Sequence, residues 1–200
     1  MRSRQQNLFD HFDLKQTRRR YGRTQHGGAS TRGHRKLERP LSTKRWIHLV
    51  LKSDKAKGFL SFLHAKNKTW VEGILRAKAK KFGVRIDQMV NMGNHFHLKI
   101  KISSREGMGQ FLKSTTTQIA RKLTGARRGK PFGRFWQGLA FTRVLMSSLE
   151  ELHLRGYFEA NRVEAQQSTK ARQECLRRFN AWVHRLRTKT GCADAAFSTA

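Results

Sequence analysis

Residues 84–102 read VRIDQMV NMGN HFHLKIKI, and they decide the fold. Side chains on a strand alternate between two faces with a period of two. Residues 84–90 and 95–102 both alternate apolar and polar side chains, which predicts two half-buried strands. Asn91, Gly93 and Asn94 between them are turn residues. The stretch therefore reads as a hairpin.

Working outward, residues 46–51 (WIHLVL) form a short apolar run bounded by basic residues, as a buried strand does. Residues 66–82 place Trp70, Ile74 and Leu75 on an apolar stripe and Lys78 and Lys81 on a basic face, which predicts a helix. A second helix spans 104–125. It opens with Ser104 and Glu106, continues through Phe111, Leu112, Ile119 and Leu123, and stops at Gly125. After the loop ARRGKPFGRFWQG, residues 139–145 (LAFTRVL) read as a strand. A helix follows over 147–165, opening with Ser147, Ser148, Glu150 and Glu151. Leu176, Phe179, Val183 and Leu186 keep helical spacing in a basic tail, residues 166–200. The element order predicts an α+β, ferredoxin-like βαββαβ domain with an antiparallel sheet and an added C-terminal helix, over residues 45–165. Residues 1–44 are polar, basic and too poor in apolar side chains to bury a face. They read as a flexible arm in which His26 and His34 are solvated loop histidines.

The chain has 200 residues and a formal net charge of +30, from 43 Lys and Arg against 13 Asp and Glu. That imbalance implies a polyanionic partner, DNA, RNA or an anionic membrane, with the membrane the weakest of the three. Ribosomal proteins are equally basic, so charge alone says nothing of catalysis. No apolar stretch approaches a membrane span and the N-terminus has no secretory signal, so a cytoplasmic location is expected. Cys175 and Cys192 lack metal-type spacing, which fits a reducing compartment.

His95-Phe96-His97 turns two imidazoles to one face of a strand and Phe96 to the other. Two neutral imidazoles there make half of a divalent metal site; the alternative is that both face solvent or phosphate. Tyr157 and Asn161 share a helical face at i and i+4. Asn161 offers an acceptor oxygen to a metal shell, and Tyr157 a phenol one turn away. The alternative is a buried tyrosine and a surface asparagine. A phenol of pKa about 10 is a weak nucleophile, and a metal polarising a phosphate would overcome that. Its product would be a 5′-phosphotyrosine bond that a 3′-OH can reverse.

The stretch Gly93-Asn94-His95-Phe96-His97-Leu98, followed by the helix Tyr157-Phe158-Glu159-Ala160-Asn161-Arg162-Val163-Glu164-Ala165, resembles the HUH single-tyrosine transposases, and among them the REP-associated tyrosine transposases of bacteria. The resemblance covers about residues 45–165. It implies an HUH domain whose added helix carries the tyrosine. It implies a transposase that cleaves and rejoins single-stranded or hairpin DNA, with His95, His97 and Asn161 as ligands of Mg2+ or Mn2+ and Tyr157 as nucleophile. Arg162 stands where the family usually has proline, which a continuing helix accommodates. Family members act as monomers or homodimers, with the tyrosine helix in its own or its neighbour's site. Arg127, Arg128, Lys130, Arg134, Trp136 and Arg143 are the expected DNA contacts, cations tracking the backbone and aromatic rings stacking on bases. The rival function is a non-catalytic nucleic-acid-binding module, whose binding would be salt-sensitive and indifferent to chelators. A third reading is a metal nuclease in which water attacks.

Overall fold

The computed structural model describes residues 22–28, 38–166 and 169–190. His34 and Cys192, singled out above, lie outside them. The elements are β1 (Gln25–His26), β2 (Ile47–Lys52), a short 3-10 turn (Gly58–Leu60), α1 (Ala65–Lys81), β3 (Val84–Asn91), β4 (His95–Ile102), α2 (Arg105–Thr124), β5 (Phe141–Val144), α3 (Ser148–Gln166) and α4 (Thr169–Thr190). The sheet runs β1-β5-β2-β4-β3 with every pairing antiparallel. From β2 to β5 this is the ferredoxin-like βαββαβ order. The predicted hairpin is β3–β4, with a register shift between Ile86 and Gln88.

One face of the sheet meets α1 and α2. Leu49, Leu51, Phe96, Leu98 and Ile100 pack there against Val71, Leu75, Met108, Phe111 and Ile119, all at most 1% exposed. This burial supplies the main apolar driving force. Helix α2 starts where Ser104 Oγ accepts from Gly107 N–H and ends at Gly125 in the left-handed conformation.

The other face is covered by α3. Val90 on β3 and Leu145 just past β5 meet Leu154 and Phe158 on the helix. Glu150, Leu154, Tyr157, Phe158 and Asn161 follow helical spacing along the stripe that meets the sheet. The outer side of α3 is packed by α4. A Cβ on Gly156 would lie 2.4 Å from the Phe179 ring, so a larger residue there would force the ring aside. The sequence-predicted basic tail thus contributes a docked helix. Among the described residues, no helix is long and apolar enough to cross a membrane.

The N-terminal segment departs from expectation. His26, read as a solvated loop histidine, is buried, because Gln25–His26 pairs with Arg143 and Thr142 of β5. Two residues of strand need no apolar face of their own; ladder bonds and close backbone approach suffice. At Gly27 (φ +85°) a Cβ would sit 2.1 Å from the Ala140 carbonyl oxygen. Arg39 straps the same edge, its Nη1 donating to Ala140 O (2.7 Å) and Thr142 Oγ1 (2.8 Å).

Candidate active site

The sheet register sets out the groups beneath α3. His48 lies opposite Arg143 on one side and Lys99 on the other, Val50 lies opposite His97, and Lys52 opposite His95. Directly opposed residues share a face. Phe96 points to the α1/α2 core, as alternation requires, and His95 and His97 point together towards α3.

There the rings meet. His95 and His97 lie 4.8 Å apart between centroids, and Tyr157 stands edge-on to His97 at 5.1 Å. Tyr157 also stands edge-on to His48, at 6.3 Å. Asn161 is 2% exposed, one turn farther along α3, so it is not a surface asparagine.

Hydrogen bonds restrict the histidine tautomers. His95 Nδ1 lies 2.6 Å from Asn94 Oδ1, an acceptor, so Nδ1 carries the proton and Nε2 keeps its lone pair. His97 Nδ1 lies 3.0 Å from His48 Nε2. With the proton on His97 Nδ1, its Nε2 also keeps a lone pair, and His48 is the acceptor. This donor set suits a divalent cation, since imidazole nitrogens ligate in the neutral form and are oriented through the opposite nitrogen. Among the described residues, no three of His, Cys, Asp and Glu group to hold a metal.

His48 was missed by sequence reasoning. It hides inside an apolar run, yet a buried polar ring in a central strand requires a partner, and that was the available signal. Burial, then the nearby Arg143 charge, push its pKa down to about 3. His95 is lowered to about 4 by burial and then by Lys52. Both are neutral at physiological pH. In the unfolded chain they titrate near their ordinary value of about 6.5. Below it the unfolded state binds more protons than the folded one, so stability falls as pH falls from about 6.5 towards 4 and 3. The expected slope reaches at most about 1.4 kcal/mol per pH unit for each histidine. Chemical denaturation in a chelator should show this slope, and His48→Phe should reduce it.

A buried charge network locks the first turn of α3. Arg143 Nη2 donates to Glu150 Oε1 at 2.9 Å, with both side chains at most 3% exposed. Lys99, 1% exposed, pairs with Asp87 at 3.1 Å and Glu151 at 3.3 Å, and lies 4.5 Å from the Trp46 ring centroid. Glu150 N–H also donates to Ser147 Oγ, capping the helix.

Two expected DNA contacts have other work. Arg143 is fully buried and spends its charge on Glu150, so it presents nothing to a DNA backbone. Trp136, partly exposed, stacks on Phe62 at 5.6 Å and donates its indole N–H to Thr116 O at 2.9 Å, which fixes it at the core margin. Arg127, Arg128, Lys130 and Arg134 are exposed. The first three stand on a tight turn closed by reciprocal bonds between Arg127 and Lys130.

No family model matches the chain, and no curated protein matches it. Among solved structures, a REP-associated tyrosine transposase bound to a REP hairpin aligns over 65% of this chain and 73% of its own, with 10% identity and a TM-score of 0.48. A putative transposase from Deinococcus radiodurans R1 aligns over 64% of this chain and 98% of its own, with 18% identity and a TM-score of 0.39. The functional reading therefore rests on the residues of this chain.

Proposed function

We propose that the chain is a metal-dependent single-tyrosine DNA transferase, a transposase or endonuclease that cuts single-stranded or hairpin DNA and rejoins it. The observation that supports this most directly is the edge-on packing of Tyr157 on His97 at 5.1 Å, with His95 alongside. In this reading the nucleophile on α3 meets two metal-type donors on one face of the sheet.

In this reading His95, His97 and Asn161 would hold Mg2+ or Mn2+. Bound there, the cation would polarise the scissile phosphate. The phenolic oxygen of Tyr157 forms a bond to phosphorus as the bond from phosphorus to the 3′ oxygen breaks. The phenol loses a proton and the departing 3′ oxygen gains one. The 5′ phosphate stays on Tyr157 until a 3′-OH displaces it, so no nucleotide cofactor is needed for rejoining. Arg127, Arg128, Lys130 and Arg134 track the backbone of the DNA.

The test is a denaturing gel of the protein with labelled single-stranded hairpin DNA from around its own gene, with Mn2+ and with EDTA. The expected result is label travelling with protein in Mn2+ alone. DNA retained under native conditions in both buffers, and never cut or attached across a panel of hairpins, would favour the binding module. His48 is a positioning residue for His97. His48→Phe should weaken Mn2+ binding by about 10–100-fold, measured by calorimetry, without altering DNA binding in EDTA.

A further inference from the structure

Phe59 is 84% exposed, yet its surroundings are ordered. It sits in the 3-10 turn between β2 and α1. Asn67, itself buried, donates through Nδ2 to Phe59 O at 2.7 Å and Ser61 O at 2.9 Å. The loop is tied at both ends to the turn that precedes His95. Ser53 N–H donates to Asn94 O at 2.9 Å, and Phe62 N–H to Gly93 O at 2.7 Å. Asn91 Nδ2 donates to Phe62 O at 2.9 Å. A bare aromatic ring is thus held on a rigid arm fixed to the histidine strand. The His64 ring lies 5.5 Å from it, tilted by 58°.

The segment that carries Phe59 is cationic. Lys52, Lys55, Lys57, Lys66 and Lys68 are all exposed in this segment, against a single acid, Asp54. Lys52 stands opposite His95 in the sheet register, at the border with the candidate active site. An exposed ring forgoes the stabilisation of burial, and a loop built from turn and cap bonds does not need one there. Aromatic rings among cations on a rigid support suit unpaired bases, whose faces stack and whose phosphates pair with lysine.

We infer that Phe59 is a stacking platform for an unpaired base of single-stranded DNA beside the cut, with the surrounding lysines holding the adjoining phosphates. This rests on reading His95, His97 and Tyr157 as a DNA-cutting centre, and it names a subsite of that centre. A duplex offers no free base face, so the platform selects for single strands.

The test uses the whole protein in EDTA, with fluorescent oligothymidylate and a matched duplex, read by anisotropy over a range of salt concentrations. Phe59→Ala is expected to raise the Kd for the single strand about 5- to 100-fold, with duplex binding and the salt slope unchanged. Phe59→Trp should retain wild-type affinity. Replacing Lys55 and Lys57 by Ala should lower the salt slope by about 0.7 for each phosphate that is no longer neutralised. Single-strand binding unaffected by Phe59→Ala would overturn the inference and leave the ring to a protein partner. Equal weakening on duplex and single strand, or no recovery in Phe59→Trp, would overturn it too. The adduct assay in Mn2+ separates this inference from the reading beneath it. Adduct formation without a Phe59 effect removes the platform alone. A Phe59 effect without any adduct removes the cutting reading and leaves a single-strand binding site.

Discussion

Tyr157→Phe is expected to abolish the covalent protein–DNA product, by more than about 10³-fold, while DNA affinity stays within about twofold. The substitution removes one oxygen and keeps the ring. The edge-on packing on His97 and the neighbouring Phe158 ring contact are therefore preserved. Helix α3 is held independently by Glu150, by Glu151 and by the α4 crossing at Gly156, so its position does not depend on the hydroxyl. The denaturing gel reads adduct, and a filter-binding assay in EDTA reads affinity. The chain has two tyrosines, and the other is Tyr21. An adduct that survives Tyr157→Phe and disappears in Tyr21→Phe would move the nucleophile to the N-terminal segment. Cut DNA with no protein attached, unaffected by Tyr157→Phe, would assign the attack to water.

The second large effect is on stability. Glu150→Ala should destabilise the domain by about 3–5 kcal/mol, because it withdraws a carboxylate from a guanidinium already taken out of water. Arg143 is 0% exposed and Glu150 is 3% exposed. The same substitution takes the acceptor from Met146 N–H, bonded to Glu150 Oε2 at 2.8 Å. For a domain of total stability about 5–15 kcal/mol, this should lower Tm by about 10 °C. The exposed pair Arg162–Glu159 is the control, and Glu159→Ala should leave Tm nearly unchanged. The double variant Arg143→Met with Glu150→Leu should recover most of the stability, since it removes both charges and keeps the volume. A Tm unchanged in Glu150→Ala would show that Arg143 is neutralised by other means.

Much of this architecture is legible before any coordinates, and the reasons are local. The alternation over 84–102 reports a strand face, and a strand face fixes where His95, Phe96 and His97 point. The i, i+4 spacing of Tyr157 and Asn161 reports a helix face in the same way. The parts that stay hidden depend on contacts between distant residues. Strand β1 has two residues and no pattern, and it exists because Gly27 lets the backbone close on Ala140. Arg143 and Lys99 look like surface cations, and their acids lie on another element, Lys99 and Glu151 being far apart in sequence. His48 reads as one polar letter in an apolar strand until its partner His97 is placed beside it. Trp136 sits among arginines in sequence and against Phe62 in space.

The two borders of the sheet bear on how copies of this chain meet one another. An open strand border offers unpaired amides and carbonyls to any second copy, and association by strand addition follows. Here β1 lies over part of the β5 border, and Arg39 occupies the carbonyl of Ala140 just before it. The opposite border is β3, where Arg85 and Asp87 place exposed charges of both signs. Among the described residues, the β1 border is two residues long and the β3 border is interrupted by charge. Among the described residues, addition of a second copy by a continuous sheet is thus opposed by brevity at the β1 border and by charge at the β3 border.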